Sequence, residues 1–216
     1  MSEKPAYDIA KALAYLDPLQ LGPPELAIER IDDPAVRVQP DVGRTAAALL
    51  DLLVRLQRPE RILEIGTCLG YAACALGRAA RDHGGRVLTY EIDPALAAAA
   101  QRNVASAGLA GVVEIRNEDA RAAIERLDPA APFGLILQDG GKDDYLPMLE
   151  PLLALLPPGG LLVSDDVLFP VMDLPERARP WARAIDAYNV RLRDLPGLRT
   201  VWLPIGDGIA ISYKER

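Results

Sequence analysis

Basic residues, histidine, cysteine and long apolar runs are all scarce in this 216-residue chain. Histidine occurs once, as His83 beside Gly84 and Gly85. It reads as a solvated helix terminus, so mechanisms built on a histidine base are disfavoured. The two cysteines, Cys68 and Cys74, read as small buried thiols. A disulfide framework or a zinc site would need more cysteines or partnering histidines. Lys and Arg number 24 against 31 Asp and Glu, a net charge of -7. That argues against a large nucleic-acid footprint, though not against a local basic patch. No apolar run reaches the roughly 18 residues that a membrane span needs. The opening MSEKPAYDIA has no basic flank ahead of an apolar core. No signal peptide is expected, and the expected compartment is the cytoplasm.

What the chain does have is apolar bulk. Half of its residues are hydrophobic, enough for one domain of generous size. Residues 1–40 are rich in Pro, Asp and Leu and read as an N-terminal helical cap, with helices at Ala6 to Leu16 and Pro24 to Asp32. The main domain is expected over 41–216. There, helical and extended patterns alternate. Helices are expected at Val42 to Leu56, Tyr71 to Asp82, Pro94 to Ala107, Ala120 to Leu127 and Tyr145 to Leu156. A last one, Pro175 to Leu195, carries an interruption at Pro180. Between them lie strands at Arg61 to Ile65, Arg86 to Glu91, Val112 to Arg116, Phe133 to Gln138 and Leu161 to Ser164. Leu198 to Leu203 and Gly208 to Tyr213 form a closing hairpin. Asp93-Pro94 is a good helix N-cap and first-turn pair. The alternation implies an α/β fold, a mainly parallel sheet with helices on both faces. Its ligands should sit beyond the carboxyl ends of the strands.

Those ends are acidic: Glu64, Glu91, Asp119, Asp139 and Asp165-Asp166. The first turn, Glu64-Ile-Gly66-Thr-Cys-Leu-Gly70, has two glycines that permit a tight turn and close ligand approach. It lacks the second glycine of a Gly-x-Gly-x-x-Gly dinucleotide turn. The glutamate on its strand would repel a pyrophosphate but suits an ammonium or sulfonium. Glu91 ends the second strand, where a carboxylate can accept hydrogen bonds from ribose hydroxyls. If strands four and five are neighbours, roughly 4.8 Å apart, Asp139 and Asp165-Asp166 converge. Such a cluster repels itself unless a cation sits within it. A hard divalent ion fits, Mg2+ first and Ca2+ or Mn2+ next. Lys142, three residues after Asp139, would have a depressed pKa beside such a metal and could take a proton; otherwise it salt-bridges the same carboxylates.

At these residues the chain resembles the cation-dependent class I O-methyltransferases, the group of catechol and caffeoyl-CoA O-methyltransferases and their small bacterial relatives. The stretches that carry the resemblance are ILEIGTCLGY (62–71), LTYEIDP (88–94), LILQDGGKDDY (135–145), PPGGLLVSDDVLF (157–169) and LPIGDGIAI (203–211). It implies a Rossmann-like class I methyltransferase fold, with a seven-stranded, mostly parallel sheet of order 3-2-1-4-5-7-6. It implies S-adenosylmethionine (AdoMet) as cofactor. Glu64, Gly66 and Thr67 would line its methionine part, Glu91 would hold the ribose, and Ala120 after Asp119 would meet the adenine. Val42 would touch it from the N-terminal side, with Gly70, Ala72, Asp119 and Asp139 completing the cofactor-binding set. Asp139, Asp165 and Asp166 would bind the metal, and Lys142 with Asp139 would serve catalysis. The expected acceptor is a catechol-like phenolic small molecule, and the expected assembly a homodimer.

The chain departs from the usual pattern at several points. Ala72 stands where the relatives have Ser, removing one hydroxyl contact. Gly140-Gly141 replaces Ala-Asp before Lys142, Asp166 replaces Asn, and Phe169 replaces Trp. These changes fall partly where acceptors bind. A second acceptor therefore stays open, a 5-hydroxyuridine at a tRNA wobble position, with Arg177, Arg179 and Arg183 near the mouth. A nicotinamide dehydrogenase or a non-catalytic binder is the reading from another class.

Overall fold

The computed structural model describes residues 9–16, 19, 28, 30–31 and 42–216. The first element among the described residues is helix α1 (Ile9–Leu16). The second expected N-terminal helix lies almost wholly outside the described residues, and the three described there, Ile28, Arg30 and Ile31, are in neither helix nor strand.

The main domain alternates strand and helix. Its strands are β1 (Arg61–Ile65), β2 (Arg86–Glu91), β3 (Val113–Asn117), β4 (Leu135–Gln138), β5 (Leu161–Ser164), β6 (Leu198–Leu203) and β7 (Ile209–Lys214). They form one sheet of order β3-β2-β1-β4-β5-β7-β6. The first five are parallel, while β7 runs antiparallel to both β5 and β6. Register brings the carboxyl ends of the central strands level: Ile65 pairs with Tyr90 on one side and Gln138 on the other, and Gln138 pairs with Ser164. The order reverses between β1 and β4, so a crevice opens there.

The helices are α2 (Gly43–Gln57), α3 (Tyr71–Arg81), α4 (Pro94–Ser106), α5 (Ala120–Ile124), α6 (Tyr145–Ala154) and α7 (Arg179–Asp194). Continuous apolar strands bury both of their faces. Successive residues alternate sides, so β1 sends Ile62 into one core, with Leu50, Val54 and Leu76, and Leu63 into the other, with Leu152, Ile185 and Tyr188. Helix α4 starts as expected, since the Asp93 carboxylate accepts from the Ala95 and Leu96 amides at 2.7 and 3.1 Å. Pro180 does not interrupt α7. It sits in the first turn, where a missing N–H costs nothing.

Candidate active site

A cavity of about 720 Å3 lies beyond the carboxyl ends of β1, β2, β4 and β5. Two kinds of chemistry meet in it.

The first half is built from backbone. After β1 the chain turns so tightly that the Gly66 and Thr67 amides both bond the Tyr90 carbonyl, at 3.0 and 3.2 Å. Gly66 has φ +91, and a Cβ there would stand 2.3 Å from the Asp139 carbonyl oxygen. Only glycine fits. Gly70, at φ +82, opens α3. Glu91 ties the turn to the next loop. One carboxylate oxygen accepts from the Cys68 amide at 2.8 Å and the other from the Asp93 amide at 2.9 Å. Burial raises the Glu91 pKa, and those amides oppose the rise. Asp119 spends its carboxylate on the Arg121 amide at the start of α5, which leaves Ala120 at the cavity wall.

Glu64 has no such support. It is fully buried, and its pKa is pushed up to about 8 by burial, which the Thr89 hydroxyl opposes while Asp139 and Glu91 add smaller repulsions. The Thr89 hydroxyl is committed to Thr67 at 2.6 Å, and neither Glu64 oxygen has a hydrogen-bond partner. A buried acceptor left unpaired costs about 1–3 kcal/mol.

The second half is built from charge. Lys142 opens a one-turn 3-10 helix after β4. Its Nζ donates to Asp139 Oδ1 at 3.2 Å, to the Gly140 carbonyl at 3.0 Å and to the Tyr145 hydroxyl at 3.1 Å, and it is in contact with Asp166 Oδ2. The Tyr145 hydroxyl in turn donates toward the carbonyls of Gln138 and Asp165, at 3.1 and 3.2 Å. Burial and mutual repulsion hold the Asp139 and Asp165 carboxyls well above the ordinary range, with Lys142 relieving each in part. The salt bridge to the same carboxylates, the other role expected of Lys142, is what this arrangement shows. Burial pulls Lys142 down, but Tyr145, Asp139 and Asp166 outweigh it and hold the ammonium well above its usual value. Among the described residues no three His, Cys, Asp or Glu side chains form a ready metal cage. The carboxylates converge on a lysine instead.

Val42, Gly66, Glu91, Asp119, Ala120, Asp139, Lys142, Asp165 and Asp166 all line the cavity. Glu64, Thr67, Gly70 and Ala72 do not; they are packed behind the turn, Thr67 through its bond to Thr89. Cys68 is not the core thiol expected. It lines the cavity at φ +48, and burial pushes its pKa up to about 11, so it stays protonated. Cys74 is buried as expected. His83 is half-buried against the Pro59 carbonyl, at the far end of the strands. Asp207, Trp181 and Met148 also line the cavity and were not singled out in the sequence. They arrive from separate segments, and no local pattern marks them. Asp207 lies in the LPIGDGIAI stretch, which was the one available signal.

A doubly wound sheet of this order, with a carboxylate-lined crevice at its switch point, defines the class I methyltransferase fold. Residues 27–215 match the model of the O-methyltransferase family, and the chain belongs to that family. It is 34% identical over 190 residues to a catechol O-methyltransferase of Niastella koreensis, covering 84% of each chain. It is 26% identical over 172 residues to a putative caffeoyl-CoA O-methyltransferase of Arabidopsis thaliana, covering 76% of this chain and 74% of that one. Among solved structures, the O-methyltransferase from Bacillus cereus in complex with SAH superposes with a TM-score of 0.79 at 26% identity, over 95% of this chain and 97% of that one.

Proposed function

We propose that this protein moves a methyl group from AdoMet to one oxygen of a vicinal dihydroxy, catechol-like small molecule, assisted by a divalent cation. The enzyme class, AdoMet-dependent O-methyltransferase, follows from family membership and from relatives that bind the spent cofactor. The observation that carries the rest is the joining, in one cavity, of the Gly66 turn and Glu91 with the Asp139, Asp165, Asp166 and Lys142 cluster.

The residues present fit both groups. AdoMet carries an ammonium, and Glu64 is a buried carboxyl with no partner directly behind the Gly66 turn. In this reading Glu91 would hold the ribose and Ala120 would meet the adenine. Asp139 and Asp166 already hold a cation, the Lys142 ammonium, between hard oxygen donors, and Asp165 stands beside them on the same cavity wall. A bound Mg2+, Ca2+ or Mn2+ would supply Lewis-acid polarisation of the acceptor oxygens. In the transfer the S–CH3 bond breaks as the O–CH3 bond forms, sulfur keeps the bonding pair, and the acceptor hydroxyl releases its proton to solvent. The chain's own contribution is mainly orientation, an effect worth several kcal/mol. The Gly66 turn sets the donor, Lys142 Nζ holds a proton beside the acceptor end, and Phe169 and Trp181 wall the mouth.

The small acceptor is favoured over RNA by the cavity wall, which carries Glu118, Asp143, Asp144 and Asp207. Arg177, Arg179 and Arg183 are exposed, but none lines it. The test is labelled methyl transfer from AdoMet to a panel of catechols and to bulk tRNA, each with and without chelator. Chelator-sensitive transfer to a catechol is the expected result. Salt-sensitive labelling of tRNA alone would establish the RNA acceptor, and full turnover in chelator would remove the metal.

A further inference from the structure

Three carboxylates end two adjacent strands, and one ammonium stands against them. Lys142 Nζ is held at four points, by Asp139, Asp166, the Gly140 carbonyl and the Tyr145 hydroxyl. Its side chain is only 12% exposed, although a lysine stem is long, flexible and ordinarily solvated. Tyr145 is fixed in turn by the carbonyls of Gln138 and Asp165 and by an edge-on contact with Tyr188, ring centroids 5.2 Å apart. Asp166 adopts φ +59, the left-handed region that few side chains tolerate. Its amide donates to Asp165 Oδ1 at 2.8 Å while its own carboxylate meets Lys142. The turn therefore splits the two acids, with Asp165 turned back on the backbone and Asp166 turned onto the lysine.

Resting on the metal reading above, we propose that Lys142 is a built-in counter-ion of the cation site, which neutralises Asp139 and Asp166 when no metal is bound and competes with a divalent ion for both. A second cation brought to the same pair of carboxylates is repelled by the first at contact distance, so each weakens the binding of the other. The metal affinity of this chain is then set by Lys142 as much as by its acids, and metal entry frees the lysine amine from its ion pair.

The test is calorimetric titration of Mn2+ into the full chain and into Lys142→Met, with AdoMet affinity as the check that each is folded. Removing the competing charge should tighten Mn2+ binding by about tenfold or more. Equal or weaker binding in the variant overturns the proposal and leaves the metal reading intact. Absence of Mn2+ binding in both proteins overturns both. A second measurement needs no variant. Acylation of Lys142 in the wild-type chain, followed by mass spectrometry against Lys214 as internal reference, should quicken when Mn2+ is added. Lys214 Nζ is bonded to the Leu153 and Leu156 carbonyls and lies away from the cavity lining. An unchanged Lys142 rate would overturn the competition directly.

Discussion

The two halves of the cavity are stabilised in opposite ways. At the ends of β1 and β2 the groups that shape the site are satisfied by backbone: two amides on the Tyr90 carbonyl, two more on the Glu91 carboxylate. At the ends of β4 and β5 the groups are satisfied largely by one another's charge, Asp139 and Asp166 paired to one lysine with Asp165 beside them. The first arrangement exists before any ligand arrives, because hydrogen bonds to backbone are set by the fold. The second is a balance that any added cation must disturb. The donor half is thus a rigid mould with one unsatisfied group, Glu64, and the acceptor half is a charge equilibrium. Damage to one should read out differently from damage to the other.

The largest effect should come from the charged half. Asp165→Ala removes a buried acid that turns back on the Asp166 amide and is a proposed metal ligand. Turnover in a methyl-transfer assay should fall by about a thousandfold or more, the scale of losing a Lewis acid. AdoMet affinity by calorimetry should change less than about threefold. A comparable loss of AdoMet binding would show that the two halves are one unit and break the comparison. The counterpart lesion is Gly66→Ala. Its Cβ would meet the Asp139 carbonyl at 2.3 Å on a backbone at φ +91, so the turn must move. AdoMet binding should weaken by about a hundredfold. Mn2+ affinity should fall less, since the clash is with the Asp139 backbone and not its carboxylate, and a matching loss there would again join the halves.

This division also explains what could be read in advance. The strands were legible, since parallel strands are apolar on both faces and nearly every one ended in a carboxylate; their order was legible only through the family resemblance. Gly66 and the Asp93 cap were legible too, because each depends on local backbone. Lys142 was not. Its spacing from Asp139 places it near the acids, but the sign of its pKa shift depends on how many acids it reaches and on Tyr145, which only the packed helix α6 supplies. The Thr67 hydroxyl meets that of Thr89 because the turn after β1 folds back over β2, a contact no local pattern marks. Pro180 was read as a break because a proline inside an apolar periodic run resembles one, while the short 3-10 turn at Glu176–Ala178 moves the start of α7 to Arg179. Trp181 and Asp207 come together only through the folded chain.

Glu64 offers a sharper test of the donor half. Its folded pKa, about 8, lies above the ordinary 4.5. Between those values the folded chain holds this proton more tightly than the unfolded chain does. Its contribution to stability is therefore present at the acid end of that window and is lost as pH rises through the folded pKa. Glu64→Gln abolishes the titration. Without ligand, the variant should match wild type near pH 5 and melt about 3–8 °C higher near pH 9 in a thermal scan. If the AdoMet ammonium reaches behind the Gly66 turn to this carboxyl, the same substitution should also lower AdoMet affinity by about tenfold or more. Higher stability together with weaker binding is the signature of a buried acid kept for a ligand. If Glu64→Gln melts lower than wild type near pH 9, the carboxyl is structural and the mould has no unsatisfied group.

The smallest effect isolates the support of Glu91. Asp93 does two things: its carboxylate caps α4 through the Ala95 and Leu96 amides, and its own amide donates to Glu91. Asp93→Ala deletes the first and keeps the second. Loss of a helix cap of this type costs about 1 kcal/mol, measurable as a lower midpoint in denaturant with an unchanged slope. The loosened start of α4 should pass only a little of that to Glu91, so KM for AdoMet should rise by about twofold to fivefold with kcat held. The Mn2+ titration should not move at all, since no contact of Asp93 reaches the acids of β4 and β5. A fall in kcat, or a shifted Mn2+ affinity, would mean that strain at the donor end reaches the charge cluster, and that the turn between Gly66 and Asp139, where a methyl group would clash, transmits it.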